Sequence, residues 1–318
     1  MTPRVAVLDD YQDAARRFGP WNELAGRVEL DVIHEHIPDP DQLASRLADA
    51  EIVMAMRERT PFPRDLLERL PGLRLIVSTG RGNAAIDVAA AIDLGIVVSG
   101  TDIPTSPTAE LTWALILSVT RKVCAEDANL RAGGWQHTIG PELSGRTLGV
   151  IGLGRQGSRV ASFGKAFDMN VISWSQNLNP DDARSRGVEP VSKDELLAAA
   201  DVVTLHLRLS DRTRGIISAA DLAKMKPTAY LINTSRGPLV DEAALVQALL
   251  AGAIAGAGID VYEIEPLPAD HPLRSAPNTV LTPHIGYVSE GTYEVFFTQA
   301  VEDIAAYLDG APIRVYQA

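Results

Sequence analysis

The sequence predicts an α/β protein with two doubly wound domains, each built on a parallel sheet. Short β-branched runs alternate with helical patterns along both halves of the chain, and such alternation is typical of parallel βαβ units. The chain has 318 residues, of which 46% are hydrophobic and 22% charged, so it is long enough to bury two separate cores.

The first region of the chain carries predicted strands at 4–8, 28–33, 51–54, 73–77 and 96–98. A proline-rich segment at 102–107 then leads into a helical pattern from 108 to about 131, and we interpret this segment as a crossing between domains. The only cysteine, Cys124, lies in that helical pattern, and we expect it to pack in the core.

The second region carries predicted strands at 148–151, 171–174, 202–205, 229–232, 256–259 and 280–281. Six strands with intervening helices are the number in a complete dinucleotide-binding fold. A last helix is predicted from about 289 to 308, and we expect it to return to the first domain. Residues 1–102 and 288–318 would then form one domain, into which residues 103–287 are inserted, with a cleft between two hinged lobes.

Three glycines follow the first strand of the second region and open a helical stretch. Gly152 permits a tight turn, Gly154 lets a pyrophosphate approach the backbone, and Gly157 lets helix and strand pack closely. The motif therefore predicts a Rossmann domain that binds a dinucleotide. The alternative interpretation is a tight strand–helix turn without a ligand.

The residue that contacts the adenosine ribose is expected at the end of the next strand, where the sequence has Ser175. A serine has no carboxylate to repel a 2′-phosphate, and no lysine or arginine directly follows it to attract one. The sequence therefore leaves both NAD and NADP open as the cofactor.

Three ionisable side chains follow later strands of the second region. His284 is a candidate proton donor because an imidazole titrates near neutral pH, and Glu265 is suited to stabilise its charged form. Arg236 offers a planar fork of donors for a substrate carboxylate and keto oxygen. Taken singly, they have structural alternatives: a core histidine, a solvated loop charge and a surface ion pair. Their joint position beyond strands of one sheet favours a shared site, because ligands bind at the carboxyl ends of parallel strands.

Four motifs resemble those of the D-isomer-specific 2-hydroxyacid dehydrogenase family: GLGRQG at 152–157, NTSRG at 233–237, DVYEIEP at 260–266 and LTPHIG at 281–286. The resemblance runs over nearly the whole chain. It implies a flavodoxin-like substrate domain and hydride transfer between a nicotinamide and a small 2-keto acid or D-2-hydroxy acid. It also implies the catalytic roles given above and a homodimer built around the helix after Pro107.

The same resemblance implies further binding residues. The turn TGRGN at 79–83 would bind the substrate carboxylate through the backbone N–H groups of Arg81 and Gly82, and a glycine-rich turn after a strand also makes a reasonable anion nest. The implied cofactor contacts, besides the three glycines, are Arg155, Gln156, Ser175, His206, Thr213, Thr234, Asp260 and Gly286.

A cluster of arginines near the predicted ends of first-region strands carries a separate hypothesis. Arg57, together with Arg59 and Arg81, would favour a substrate with a second anionic group such as a phosphate. The alternative is that these arginines are solvated or stabilise the domain.

The composition also argues against several classes of function. A formal net charge of −12 without a basic stripe disfavours nucleic-acid binding. The longest apolar run, at 111–119, is too short to span a bilayer. Because the N-terminal residues lack the features of a signal peptide, we expect a cytoplasmic protein, and we expect no metal site.

A second hypothesis is a dinucleotide-sensing scaffold without turnover, since the resemblance includes corepressors of the same architecture. The presence of Arg236, Glu265 and His284 favours the enzyme. Formate oxidation is disfavoured because that branch of the family usually has Gln in place of Glu265. Phosphoglycerate oxidation fits the chemistry, but the chain ends soon after the last predicted helix, so we expect no added regulatory domain.

Overall fold

The computed structural model describes residues 2–317, which fall into two compact units. One unit is Thr105–Tyr287, and the other combines the residues up to Pro104 with those from Val288 onward. None of the described helices is both long and apolar enough to cross a membrane.

Strands and helices alternate along most of the described chain. The strands are β1 (Arg4–Val7), β2 (Glu29–Val32), β3 (Ile52–Ala55), β4 (Leu75–Ser78), β5 (Val97–Gly100), β6 (Thr147–Ile151), β7 (Asn170–Trp174), β8 (Glu189–Pro190), β9 (Val202–Leu205), β10 (Tyr230–Asn233), β11 (Gly256–Ile259) and β12 (Thr279–Leu281). The α-helices are α1 (Ala14–Phe18), α2 (Pro40–Leu47), α3 (Arg64–Glu68), α4 (Val88–Asp93), α5 (Ser106–Thr120), α6 (Val123–Arg131), α7 (Arg155–Ala166), α8 (Pro180–Ser185), α9 (Lys193–Ala199), α10 (Ala219–Leu222), α11 (Glu242–Leu250) and α12 (Glu290–Leu308). Short 3-10 helices lie at Trp21–Leu24, Gly237–Leu239 and Pro272–Ser275.

The unit that contains both ends of the described chain has a five-stranded parallel sheet in the order β2-β1-β3-β4-β5. This is the flavodoxin-like order of a doubly wound sheet, so the predicted fold class is confirmed here. The central strands β3 and β4 are buried throughout, which is typical of parallel strands covered on both faces. α12 belongs to this unit, and the Ser289 side chain caps it by accepting a hydrogen bond from Thr292 N–H.

The unit Thr105–Tyr287 has a seven-stranded parallel sheet within the described residues, in the order β12-β11-β10-β9-β6-β7-β8. The order reverses beside β6, as in dinucleotide-binding sheets, so the predicted Rossmann fold is confirmed. The sequence pattern predicts six of these strands but not β8. That strand is only Glu189 and Pro190 at the sheet edge, where neither an apolar run nor alternation marks it.

The prediction of one long helix from 108 to about 131 is wrong, because the chain forms α5 and α6 there. Lys122 adopts a left-handed backbone conformation with a φ of 57°, which interrupts the helical path between them. α5 buries Trp113 and Ile116, whereas α6 buries none of its residues. Cys124 is exposed on α6, so its predicted core position is also wrong.

The chain after α12 forms a segment at 313–317, here named the C-terminal strap, that the sequence pattern did not predict. Val315 of the strap forms an antiparallel bridge with Ser99 of β5. The Arg314 guanidinium donates a hydrogen bond to Asp303 Oδ1 at 2.9 Å. Asp303 is fully buried in α12, and burial raises the pKa of its carboxyl to about 6. The strap is therefore anchored both to the sheet and to the last helix.

Candidate active site

A glycine turn between β6 and α7 has the geometry expected of a phosphate cradle. Gly152 has a φ of 97°, a conformation that residues with side chains rarely adopt. A Cβ atom on Gly157 would overlap the carbonyl oxygen of Gly152, so only glycine lets the helix approach the turn this closely. Gly154 differs, because a Cβ atom there would meet nothing within 4 Å, which leaves room for a ligand.

The N-terminus of α7 adds hydrogen-bond donors to this turn. The helix begins at Arg155, so the N–H groups of its first turn, including that of Gln156, have no carbonyl partner inside the helix. The side-chain Oε1 of Gln156 is buried without a hydrogen-bond partner among residues 2–317, so this amide is available to a ligand. Free N–H groups and the helix dipole both favour a phosphate. The residues present therefore fit the pyrophosphate of a dinucleotide.

The sheet places several predicted cofactor residues in one row. The last residues of β6, β9, β10, β11 and β12 are paired in register across the sheet. Because the strands are parallel, the residue after each of them lies at the same carboxyl edge. These residues are Gly152, His206, Thr234, Asp260 and Thr282. All of them except Thr282 are among the cofactor contacts expected from the sequence.

The polar groups in the middle of this row have protein partners. Nε2 of His206 lies 3.0 Å from Thr204 Oγ1, and burial lowers the pKa of this imidazole to about 3, so His206 is neutral at physiological pH. Oγ1 of Thr234 lies 2.8 Å from Thr112 Oγ1. Thr213 lies on the loop after β9, outside the row, and its hydroxyl donates to the Arg208 carbonyl at 2.7 Å. This part of the edge suits the uncharged parts of a nucleotide.

A cavity of about 310 Å³ lies beside the end of β7. Its lining includes Trp174, Ser175, Leu178, Arg184, Val191 and Glu195. The sequence shows no cation beside Ser175, because Arg184 belongs to α8 and only the fold brings it to the same cavity. Its guanidinium lies 3.5 Å from the Asp181 carboxylate and 3.8 Å from the Glu189 carboxylate. Ser175 is thus next to a positive charge that two nearby acids partly compensate.

His284 and Glu265 form the closest charged contact of this unit's candidate site. Nδ1 of His284 lies 2.5 Å from Glu265 Oε2, and Glu265 Oε1 accepts a hydrogen bond from Tyr262 N–H at 2.9 Å. Burial acts to raise the pKa of the Glu265 carboxyl, but the hydrogen bond and charge of His284, with the charge of Arg236, outweigh it and lower that pKa. Glu265 is therefore a carboxylate at neutral pH, and it leaves His284 Nε2 as the ring nitrogen for a substrate.

Asp260 fixes the loop that carries His284. Its Oδ1 accepts hydrogen bonds from Thr282 Oγ1 at 2.7 Å and Ile285 N–H at 2.8 Å, and its Oδ2 accepts one from Gly286 N–H at 2.9 Å. Within this loop His284 has a φ of 53°, in the left-handed region. The Asp260 carboxylate and the Gly286 N–H are thus hydrogen-bonded to each other. In this geometry they hold the loop that carries the His284 imidazole and so orient the ring.

Arg236 lies on the loop that follows β10, and Asn233 shapes that loop. The Asn233 side chain accepts a hydrogen bond from Ser235 N–H at 3.0 Å and donates one to the Arg236 carbonyl at 2.9 Å. A Cβ atom on the next residue, Gly237, would overlap the backbone of Tyr262, so glycine lets this loop touch the one before Glu265. The structure therefore brings the loops of the predicted cation and carboxylate together.

Tyr287 lies near the imidazole and was not among the site residues predicted from the sequence. Its ring lies 5.8 Å from the His284 ring at an interplanar angle of 76°, an edge-to-face contact. Tyr287 is buried. Its three-residue distance from His284 was visible in the sequence, but aromatic residues near a histidine more often pack in a core, and nothing else marked this one.

The turn at 79–83, predicted to bind the substrate carboxylate, lies in the other unit. Gly80 and Gly82 have φ values of 90° and 89°. The N–H of Gly82 donates a hydrogen bond to the hydroxyl of Tyr316 at 2.7 Å, a contact that the sequence did not predict. Among residues 2–317 the Arg81 N–H donates to no backbone or side-chain acceptor. One of the two predicted amide donors is thus open, and the other has a protein partner.

The arginines of the same unit have separate partners. Arg57 has a φ of 52°, and its guanidinium donates to the Thr79 carbonyl at 2.8 Å, against the turn. The Arg81 guanidinium lies 2.6 Å from the Asp102 carboxylate. Arg59 lies over the ring of Tyr11, 4.6 Å from its centroid. In this geometry Arg57 is the arginine whose guanidinium lies directly against the predicted carboxylate turn.

Comparison with known proteins agrees with this geometry. Residues 113–286 match the family described as "D-isomer specific 2-hydroxyacid dehydrogenase, NAD binding domain". A glyoxylate reductase from Aeropyrum pernix is 39% identical over 298 residues, which are 90% of this chain and 89% of that protein. A glyoxylate reductase from Korarchaeum cryptofilum is 37% identical, over 98% of this chain and 94% of that protein.

Solved structures give the same result. A phosphoglycerate oxidoreductase from Vibrio cholerae superposes with a TM-score of 0.93 and 38% identity, over 98% of this chain and 100% of that one. An acyclic imino acid reductase in complex with NADPH and D-Arg superposes with a TM-score of 0.77 and 28% identity, over 99% of this chain and 100% of that one. The chain therefore belongs to the D-isomer-specific 2-hydroxyacid dehydrogenase family and is an NAD(P)-dependent oxidoreductase.

Proposed function

We propose that the protein reduces a small 2-keto acid, of the size of glyoxylate or hydroxypyruvate, and oxidises the corresponding D-2-hydroxy acid in reverse. The observation that carries this proposal is the contact of 2.5 Å between His284 Nδ1 and Glu265 Oε2 at the sheet edge that also carries the Gly152 turn. The glyoxylate reductases described above support the substrate class.

A nicotinamide nucleotide held at the Gly152 turn and the carboxyl edge of the sheet would supply or accept the hydride. His284 supplies the proton: in reduction its Nε2–H protonates the former keto oxygen as C2 gains the hydride, and in oxidation neutral Nε2 takes the hydroxyl proton. Glu265 holds Nδ1 as the protonated nitrogen and stabilises the imidazolium. Arg236 orients the substrate through its carboxylate and keto oxygen, because its guanidinium is a fixed fork of donors.

We also propose roles for the remaining site residues. The N–H groups of Arg81 and Gly82 bind the substrate carboxylate, and Arg57 contacts a second anionic group where the substrate has one. Residues 103–287 act as the cofactor domain, and residues 1–102 with 288–318 act as the substrate domain. The predicted cofactor residues at the sheet edge bind the nucleotide, with Arg155 and Gln156 at its pyrophosphate.

A substrate panel tests the proposed reaction. Glyoxylate, hydroxypyruvate and bulkier 2-keto acids are assayed by loss of nicotinamide absorbance, with NADH and NADPH in parallel. We expect turnover of at least one small keto acid. If the protein binds the nucleotide but turns over none of these keto acids, the result would favour the dinucleotide-sensing scaffold instead. Nothing in the site geometry supports that alternative.

A single substitution at Ser175 tests which nucleotide the adenosine end accepts. Ser175, Arg184 and Glu195 line the same cavity, and the expected ribose position itself holds a serine in place of a carboxylate. We expect Ser175→Asp to raise the KM for NADPH by about tenfold or more, by charge repulsion of the 2′-phosphate, with little effect on the KM for NADH. Equal changes for both nucleotides would place the ribose elsewhere, and Ser192→Asp, in the same cavity, is the control for added charge alone.

We further propose that the protein is a homodimer. Val123 and Leu130 of α6 are 50% and 57% exposed, and Trp135 and Ile139 of the loop after it are 73% and 98% exposed. That loop is ordered by Glu126, which accepts a hydrogen bond from Thr138 N–H at 2.7 Å. An ordered surface with large exposed apolar side chains is typical of a subunit contact.

Light scattering tests this assembly. We expect a mass of about twice the chain mass of 34.1 kDa, and Ile139→Asp should shift it toward the monomer, because a charge would be buried in the contact. Leu250→Asp on α11, which changes a residue that is 61% exposed elsewhere in the same unit, should leave the mass unchanged. A monomeric wild-type protein would contradict the proposal.

A further inference from the structure

Tyr316 of the C-terminal strap contacts the turn proposed to bind the substrate carboxylate. Its hydroxyl accepts a hydrogen bond from Gly82 N–H and donates one to the Gly80 carbonyl, both at 2.7 Å. A backbone N–H carries a single hydrogen to donate. The Tyr316 hydroxyl oxygen therefore takes the place at Gly82 that a carboxylate oxygen would need.

The sheet is shaped to admit this ring. Gly100 ends β5 beside Tyr316, and a Cβ atom there would overlap the tyrosine ring and lie 2.8 Å from the Gly80 carbonyl oxygen. The absence of a side chain at Gly100 thus leaves room for both the ring and the turn. The N–H of Tyr316 also donates to the Val98 carbonyl at 2.7 Å, so the backbone on which the ring stands is part of the sheet pairing.

Hydrogen bonds of Arg314, on the N-terminal side of the ring, fix the backbone of the strap. Gly100 N–H donates to the Arg314 carbonyl at 3.1 Å, and the Arg314 guanidinium donates to Asp303 and to Glu302 Oε2 at 2.9 and 2.7 Å. The Tyr316 side chain itself is half-buried. A rotation about its side-chain bonds would release Gly82 without unpairing the strap from β5.

We propose that Tyr316 competes with the substrate carboxylate for the Gly82 N–H, so that a keto acid binds only when the tyrosine hydroxyl leaves the turn. This inference rests on the proposed role of the turn at 79–83. The exchange favours the substrate, because a hydrogen bond to a carboxylate is stronger than one to a neutral hydroxyl. Tyr316 gives up two hydrogen bonds in this exchange, and their loss reduces the net gain in binding free energy. The affinity for the keto acid is therefore lower than it would be if no tyrosine hydroxyl occupied the turn.

Removal of the hydroxyl alone tests the competition. Tyr316→Phe keeps the ring but cannot accept from Gly82, and binding of oxamate, a planar analogue of a 2-keto acid, is measured by calorimetry with NADH present. We expect the Kd for oxamate and the KM for the keto acid to fall by about tenfold or more, because the variant has neither of the two neutral hydrogen bonds that the wild type gives up, with kcat and the Kd for NADH unchanged. Tyr307→Phe, which removes the hydroxyl of a half-buried tyrosine in α12, is the matched control.

The outcomes are distinct. Weaker oxamate binding in Tyr316→Phe would show that the tyrosine holds the turn in its binding shape, and unchanged binding would show that the hydroxyl plays no part, so either result overturns the competition. If neither wild type nor Tyr316→Phe binds oxamate while both bind NADH, the proposed role of the turn fails and the inference fails with it. Tyr316→Ala, which removes the ring as well, should also bind oxamate more tightly than the wild type.

Discussion

Replacement of His284 by asparagine is expected to lower kcat for keto acid reduction by a factor of about 100 to 10,000, the usual contribution of a positioned acid–base group. Asparagine is the appropriate substitute because His284 has a φ of 53° and asparagine tolerates the left-handed region better than most residues. The variant therefore loses proton transfer without strain in the loop that Asp260 holds. Steady-state kinetics with saturating NADH measures the loss.

A second histidine–glutamate pair in the same unit supplies the control. Nε2 of His271 lies 3.0 Å from Glu242 Oε1, but His271 does not follow a strand at the carboxyl edge of the sheet. We expect His271→Asn to keep kcat within about threefold of wild type, because His271 has no part in the proposed proton transfer and an asparagine can also accept from Leu273 N–H. A similar loss in both variants, or a loss below about tenfold in His284→Asn, would argue that the imidazole is not the proton donor.

Substitution of Arg236 by lysine is expected to lower kcat/KM for the keto acid by about 100-fold, although the positive charge is kept. The Arg236 loop is held by Asn233 and by its contact at Gly237, so a lysine on the same backbone would present one ammonium group in place of a planar fork. We therefore expect the substrate to be poorly oriented in this variant, so that kcat falls and KM rises together.

The measurement that isolates this effect is the Kd for NADH, taken by fluorescence titration beside the kinetics. It should be unchanged in Arg236→Lys. Arg274→Lys, which alters a guanidinium bonded to the Leu267 and Pro268 carbonyls, should leave kcat/KM unaffected. Loss of NADH binding in Arg236→Lys would instead mean that the arginine supports the fold of the nucleotide site.

Much of the site was predictable because the sheet itself aligns it. Parallel strands in register bring the residue after each strand to one edge. This explains why Gly152, from the glycine motif, lies in one row with His206, Thr234 and Asp260, which the family resemblance implied. The proximity of Glu265 and His284 was an expectation from chemistry, and the contact of 2.5 Å agrees with it.

The features that the sequence did not indicate depend on how segments of the chain pack. Arg184 is nine residues from Ser175, and the turn from β7 into α8 brings it to the same cavity. Tyr316 contacts Gly82 across a separation of 234 residues, and no local pattern encodes such a contact. The break at Lys122 was missed for a different reason, since lysine is a good helix former and neither glycine nor proline marks the turn.

If His284 carries the proton in both directions, the rates of reduction and oxidation must depend on pH in opposite ways. The pKa of Glu265 is lowered, so this carboxylate stays ionised at pH values where an ordinary glutamate begins to protonate, and it contributes no change of charge near neutral pH. Reduction needs protonated His284 and oxidation needs the neutral form.

The decisive measurement is kcat/KM for keto acid reduction and for D-2-hydroxy acid oxidation across the neutral pH range. With rising pH the reduction constant should fall and the oxidation constant should rise. Two profiles that change in the same direction, or that do not change, would contradict the assignment of His284 as the acid and base.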